Sequence, residues 1–175
     1  MMRNLKYIIS LLVLSSCLGY PKTVEPVKDF ELDSYLGTWY EVARLDHSFE
    51  RGLEQVSATY SMRSDGGVKV LNKGFDTEKG EWSDAEGKAF FVREKDEAYL
   101  KVSFFGPFYG SYVVFELDKK NYQYAFISGD SEKYLWFLSR TPVVSDELKN
   151  HFIEKAKSLG FPTDQLIFVN QIPKD

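Results

Sequence analysis

Apolar and polar residues alternate with a period of two through most of the stretch from Thr38 to Arg140, in runs too short for helices and bounded by turn-forming residues. The runs at 38–46, 55–63, 67–75, 86–94, 98–105, 111–117, 122–128 and 134–140 predict eight strands. Between them stand Asp65-Gly66-Gly67, Glu78-Lys79-Gly80, Lys95-Asp96-Glu97, Gly106-Pro107, Asp118-Lys119-Lys120-Asn121 and Gly129-Asp130-Ser131, each suited to a turn or loop. Short connections between successive strands imply an antiparallel meander, and eight strands is the number at which an up-and-down sheet closes and holds a small ligand. The period then changes. Leu148, Phe152, Ala156 and Leu159 recur at helical spacing behind Ser145, a good cap followed by Asp146 and Glu147, and Gly160 ends the run. Pro142 and Pro162 bound this segment, and 166–169 reads as a short last strand. The expected fold class is all-β: an eight-stranded antiparallel up-and-down barrel with one C-terminal α-helix packed on its outside.

The stretch that organises the rest is Asp33-Ser34-Tyr35-Leu36-Gly37-Thr38-Trp39-Tyr40-Glu41-Val42-Ala43. Asp33 to Leu36 suits one helical turn, Gly37 lets the backbone leave it, and the aromatic and β-branched residues that follow favour a strand. A lone G-x-W is equally compatible with a Trp that only plugs a β core.

The amino terminus departs from the strand pattern. Arg3 and Lys6 precede an apolar run from Tyr7 to Leu14 that is too short to span a bilayer, and Leu14-Ser15-Ser16-Cys17 follows directly. This order resembles the bacterial lipobox. The resemblance implies removal of residues 1–16 as a signal peptide and acylation of Cys17, with outer-membrane sorting because Leu18 replaces the retaining Asp; a plain export signal is the alternative. Residues 17–29, with Pro21 and Pro26 and no clear period, are expected to be the lipidated Cys and a flexible tether, and residues 30–175 the folded domain. Cys17 is the only cysteine, so no disulfide forms within the chain.

Composition narrows the functions. The 175 residues are 43% hydrophobic and 16% aromatic, enough for one substantial core, and the formal charge is −4. Loss of residues 1–16, which carry two basic residues and no acid, leaves 20 basic and 26 acidic residues. Nothing here suits nucleic acid.

Gly37-x-Trp39 opening the first strand, Ser139-Arg140-Thr141-Pro142 closing the last and the helix beyond it together resemble the lipocalin family. Phe49-Glu50-Arg51-Gly52-Leu53-Glu54 and Lys101-Val102-Ser103-Phe104-Phe105-Gly106-Pro107-Phe108-Tyr109-Gly110 resemble the bacterial outer-membrane lipocalins, with apolipoprotein D as an animal relative. The family's T-D-Y motif is reduced to Asp118. The resemblance implies that Arg140 packs over Trp39 at a closed barrel base, so that Gly37, Trp39 and Arg140 have structural roles.

With Arg140 inward, alternation turns Tyr134, Trp136 and Leu138 inward as well. It does the same for Val56, Ala58, Tyr60, Ala89, Phe91, Leu100, Val102 and Phe104, while the resemblance to apolipoprotein D pockets adds Val70, Asn72, Tyr112 and Val114. This lining is apolar apart from Asn72 and tyrosine hydroxyls, as expected for a ligand pocket, although the aromatics also suffice to fill the barrel. The family topology brings His47, Phe49, Arg51 and Leu53 to the mouth with Phe105, Pro107, Phe108 and Tyr109. A mouth so apolar serves as a lid, touches a membrane, or buries against a second copy in a homodimer.

His47 and His151 are the only histidines, and neither a Ser-His-Asp set nor a metal cluster is evident. The lipocalins that catalyse an isomerisation use a barrel cysteine, and here the sole cysteine belongs to the anchor. The expectation is therefore no enzyme, no cofactor and no metal. The favoured function is binding of a fatty acid or lysophospholipid for lipid storage or transport in envelope maintenance, on a barrel facing the periplasm, with Arg51 as the candidate partner of a charged head group. The alternative is an envelope interaction protein without a physiological small ligand.

Overall fold

The computed structural model describes residues 18–171. The lipobox and Cys17 lie outside the described residues. Trp39 sits on β1 (Gly37–Arg44), which the single helical turn α1 (Leu32–Tyr35) feeds. Seven more strands follow in a meander: β2 (Leu53–Met62), β3 (Val68–Asp76), β4 (Glu81–Phe91), β5 (Tyr99–Phe105), β6 (Phe108–Leu117), β7 (Tyr124–Ser128) and β8 (Leu135–Ser139). Each pairs antiparallel with the next, and β1 pairs with both β8 and β2, which closes the barrel. Closure joins the first strand to the last, which an open sheet would leave as free edges.

The pairing of β1 with β2 covers only Gly37 to Tyr40. Above Tyr40, toward the mouth, β9 (Ile167–Phe168) takes up Ala43 and Arg44 of β1. The Gln171 side-chain amide then donates to the carbonyls of Glu41 (2.7 Å) and Val56 (2.8 Å), so the chain end stitches the split between the two strands. The expected last strand at 166–169 is thus two residues long, and it works as a seal.

Helix α2 (Asp146–Ser158) lies on the outer wall. The Ser145 hydroxyl accepts from the Leu148 N–H, the expected cap. Phe152 and Ala156 are fully buried, and Phe152 packs 4.9 Å from Phe126 and 5.0 Å from Phe137, ring centre to ring centre. At the turn after β6, Asp118 accepts from the N–H groups of Lys120 and Asn121, so this one residue of the reduced motif still holds the loop.

Two expectations are corrected. The first is the flexible tether. Val24 is 1% exposed in the cluster between the barrel and α2, the Thr23 hydroxyl donates to the Leu159 carbonyl (2.7 Å), and the Val27 N–H donates to the Val114 carbonyl (2.9 Å). The Ala98 N–H in turn donates to Val27, so residues 18–29 form a strap along β5 and β6. Two prolines and no period concealed a segment whose apolar residues fill a groove in the outer wall. The second is β4, which begins at Glu81 and not at 86, because its first half pairs with β3 while both its faces remain exposed.

Candidate functional site

The base of the barrel is built from the G-x-W turn. Gly37 has φ of +95°, a conformation open to glycine, and a Cβ there would stand 3.3 Å from Arg140 Nη1. That space admits the guanidinium, which lies 4.0 Å from the Trp39 ring centre. Its nitrogens donate to the carbonyls of Ser34 (2.9 Å), Leu36 (2.8 Å), Thr38 (2.9 Å) and Tyr122 (3.2 Å). Desolvation of the partly buried guanidinium lowers its pKa. The Trp39 indole donates to the Tyr35 carbonyl (2.8 Å), and Tyr35, Tyr112 and Tyr60 join hydroxyl to hydroxyl at 2.7 and 2.9 Å. Burial pushes all three phenols above their ordinary value, so they act as neutral hydrogen-bonding groups.

Above this floor is a cavity of about 610 Å³, within the range of small-molecule pockets. Tyr60, Val70, Asn72, Val102, Phe104, Tyr112, Tyr134, Trp136 and Leu138 line it together, with Val56, Ala58, Ala89 and Leu100. Two expected lining residues do not reach it. Val114 is fully buried, and Phe91 packs toward Phe30, 6.2 Å between ring centres; both are taken up by the packing at the base. Alternation gave their inward direction, and their height along the barrel decided the rest.

The wall also holds a charged cluster that the expected lining of neutral polar groups lacked. Glu41 and Glu50 line the cavity while only 3% and 7% exposed. Arg44, 3% exposed, donates to Glu41 Oε1 (2.6 Å) and to the backbone carbonyls of Glu50 (2.8 Å) and Leu53 (3.2 Å). The Trp136 indole donates to Glu50 Oε2 (3.1 Å). His47, also buried, brings Nε2 within 3.0 Å of the same oxygen but off the line of a hydrogen bond. Burial, then the neighbouring Glu50 carboxylate, raise the Glu41 pKa well above the usual carboxylate range, against the pull of Arg44. The signal available in the sequence was the polar interruption of β1 by Glu41 and Arg44, which alternation alone assigns to no particular depth.

At the mouth, Phe105, Phe108 and Phe49 are 82%, 78% and 62% exposed, and Tyr109 lies beside them on the cavity rim. Leu53 reaches the cavity; His47 is stacked beneath Phe49 with ring centres 4.0 Å apart. Arg51 is not part of the lining. Its guanidinium is held by both Asp46 oxygens, which keeps that carboxylate below its ordinary pKa. A basic residue with an acid five positions before it found its partner locally. Among the described residues no group of three or more His, Cys, Asp or Glu is arranged to hold a metal ion, and no helix is long and apolar enough to cross a membrane.

The match to the Lipocalin-like domain model covers residues 30–171, from the start of the barrel through the seal. The chain belongs to the lipocalin family. This lipocalin is 61% identical over 97% of its length to outer membrane lipoprotein Blc of Vibrio cholerae, of which 99% is covered. It is 50% identical to the protein of that name from Escherichia coli, over 92% of this chain and 90% of the relative. Those names agree with the outer-membrane location expected from the sequence. Apolipoprotein D of Mus musculus is 27% identical over 83% of the chain and 80% of the relative. Among solved structures, insecticyanin from Manduca sexta superposes with a TM-score of 0.69 at 21% identity, covering 90% of this chain and 88% of that one, a likeness of fold.

Proposed function

We propose that this lipocalin is held at the outer membrane by acyl chains on Cys17 and takes a single-chain lipid, a fatty acid or lysophospholipid, for storage or transport in envelope maintenance. The observation that supports this reading is the cavity itself, about 610 Å³, apolar over most of its wall and closed at the base by Trp39 and Arg140. Each buried methylene contributes about 0.8 kcal/mol before association costs, so one long chain supplies ample driving force. An anionic head stays at the mouth, because the buried Arg44 guanidinium beside the wall is already taken by Glu41 and by the carbonyls of Glu50 and Leu53. The relatives named as outer membrane lipoproteins support the location.

Displacement of a fluorescent fatty acid by a series of acyl lipids of increasing chain length tests the reading. Val102→Trp places a large ring in open space on the cavity wall, where it has room without repacking the core. The expected result is at least tenfold weaker binding of long chains, a smaller loss for short ones, and an unchanged thermal midpoint. Equal affinity of both proteins for every chain length would put the ligand outside the barrel. Mass spectrometry of lipid extracted from the purified protein separates a binder from an interaction protein with an empty barrel.

A further inference from the structure

The hairpin joining β5 and β6 carries Phe105 and Phe108 at its tip, 82% and 78% exposed, larger and more exposed than any lid over the cavity requires. From Val102 to Tyr112 the hairpin holds no charged residue, and the nearest charge, Lys101, lies with Nζ 5.0 Å from the Tyr109 ring centre. Two of the other rim turns are acidic: Asp76, Glu78, Glu81 and Asp84 stand at the β3–β4 turn against Lys73 and Lys79, and Asp130 and Glu132 border the β7–β8 turn against Lys133, while the loop between β1 and β2 adds the exposed Phe49.

The strap says what this apolar tip meets. Val27 joins the backbone ladder at the base end of β5 and β6, through the Val114 carbonyl and the Ala98 N–H. Tyr20 then packs edge-on against Tyr99, 5.1 Å between ring centres, and the Gly19 N–H donates to the Ser111 hydroxyl (3.2 Å). Read backward from Val27 to Gly19, the strap climbs the outer wall from the base toward the mouth, on the same two strands that carry the hairpin. Ser111 lies three residues below Phe108, about 10 Å along the strand, and Cys17 is two residues, at most about 7 Å of chain, from Gly19.

We infer that the Phe105–Phe108 hairpin docks into the lipid surface that holds the acyl anchor, so that the barrel leans on its β5–β6 side with its mouth opening onto the bilayer. The occupant is a bilayer because the strap climbs β6 toward the tip and reaches Gly19, two residues from Cys17, and because the tip is aromatic and uncharged, unlike the acidic β3–β4 and β7–β8 turns on either side of it. Aromatic side chains at an interface bury their rings at the headgroup level without an amphipathic helix. Lean and docking together give a lipid a path from membrane to cavity past Phe105 and Tyr109, which line the cavity. This inference rests on the proposed anchoring at Cys17 and goes beyond it.

In the acylated full chain the Cys17 thiol is consumed, so a single introduced cysteine carries a nitroxide. Phe108→Cys at the tip, Asp130→Cys on the acidic rim and Met62→Cys at the base are labelled and reconstituted into vesicles of phosphatidylethanolamine with some phosphatidylglycerol. The expected result is a ratio of oxygen to nickel-chelate accessibility several-fold higher at position 108 than at 62 or 130. Equal ratios at all three positions overturn the inference. So does a label at 108 shielded from both reagents, which means a second copy covers the tips. Failure of the anchor shows separately, as an N-terminal peptide without acyl mass. The Cys17→Ser chain is then mixed with the same vesicles: a tenfold loss of partitioning on combining Phe105→Ser and Phe108→Ser supports docking, and equal partitioning overturns it.

Discussion

Arg140 illustrates how one side chain holds three pieces of backbone. It joins the turn before β1, β1 itself and the loop before β7 through four carbonyls, and its charge faces the Trp39 ring. Arg140→Ala removes the charge-assisted bonds and the ring contact together, at a cost of about 2–3 kcal/mol, seen as a lower urea midpoint. An unchanged midpoint would mean that α1 and the β7 loop close the base without it. Glu41 titrates in the opposite sense to a paired surface acid. Its pKa is raised in the folded chain, so the folded state holds a proton that the unfolded chain releases near the ordinary value of 4.5. Stability from this group is therefore full below that value and is lost as pH rises through the folded value. Asp46, Asp65 and the half-buried Asp76 are held below their ordinary value, Asp65 at about 2, and titrate beneath this window. Glu41→Gln keeps an oxygen for Arg44 and removes the titration. Urea midpoints should decline with pH above about 4.5 in the parent and run flatter in the variant; parallel profiles would assign the dependence to another group.

Strands were legible wherever one face of the sheet is buried and the other wet, because the period of two then writes the inner face into the sequence. Tyr60, Val102, Trp136 and Leu138 were readable on that ground. The first half of β4 was not, since Glu81 to Glu86 are exposed on both faces and show no alternation of buried and wet positions where they pair with β3. Depth was equally hidden: Phe91 and Val114 point inward but end in the packing at the base, and alternation carries no coordinate along the barrel axis. The charged wall was missed for a different reason, because Glu50 reaches the interior from a loop, where no period applies. One element-scale prediction concerns the end of the β4–β5 ladder. A Cβ at Gly87 would stand 2.8 Å from both the Ser103 carbonyl oxygen and the Phe104 ring. The carbonyl cannot rotate away as a side chain can. Gly87→Ala should therefore push β5 off β4, cost about 1–3 kcal/mol by overpacking, and change ligand affinity through Phe104. A variant with parent stability and affinity would show that the strand yields freely at this point.

At the scale of the molecule, two terminal segments finish a barrel whose eight strands close only through the short β1–β2 ladder from Gly37 to Tyr40. The C-terminal β9 and Gln171 seal the split between β1 and β2, and the N-terminal strap covers the groove along β5 and β6. With the anchor proposed at Cys17, the strap couples anchor and barrel mechanically: a free tether of this length would let the mouth point anywhere, whereas a strap fixed at Val27, Val24 and Gly19 restricts the barrel's orientation. Its strength therefore governs more than stability. Val24 is its most buried apolar side chain, in contact with the cluster that includes Tyr99, Val113 and Phe161. Val24→Asp puts a carboxylate among apolar side chains, so the strap lifts off and exposes the groove instead of burying the charge. The expected outcomes are a thermal midpoint lower by several degrees, early protease cleavage between residues 18 and 29, and undiminished retention in the membrane, since the anchor lies outside the strap. A midpoint and cleavage pattern matching the parent would show that the strap contributes no stability. A loss of membrane retention with the domain still folded would show that the strap, and not Cys17, holds the protein to the bilayer.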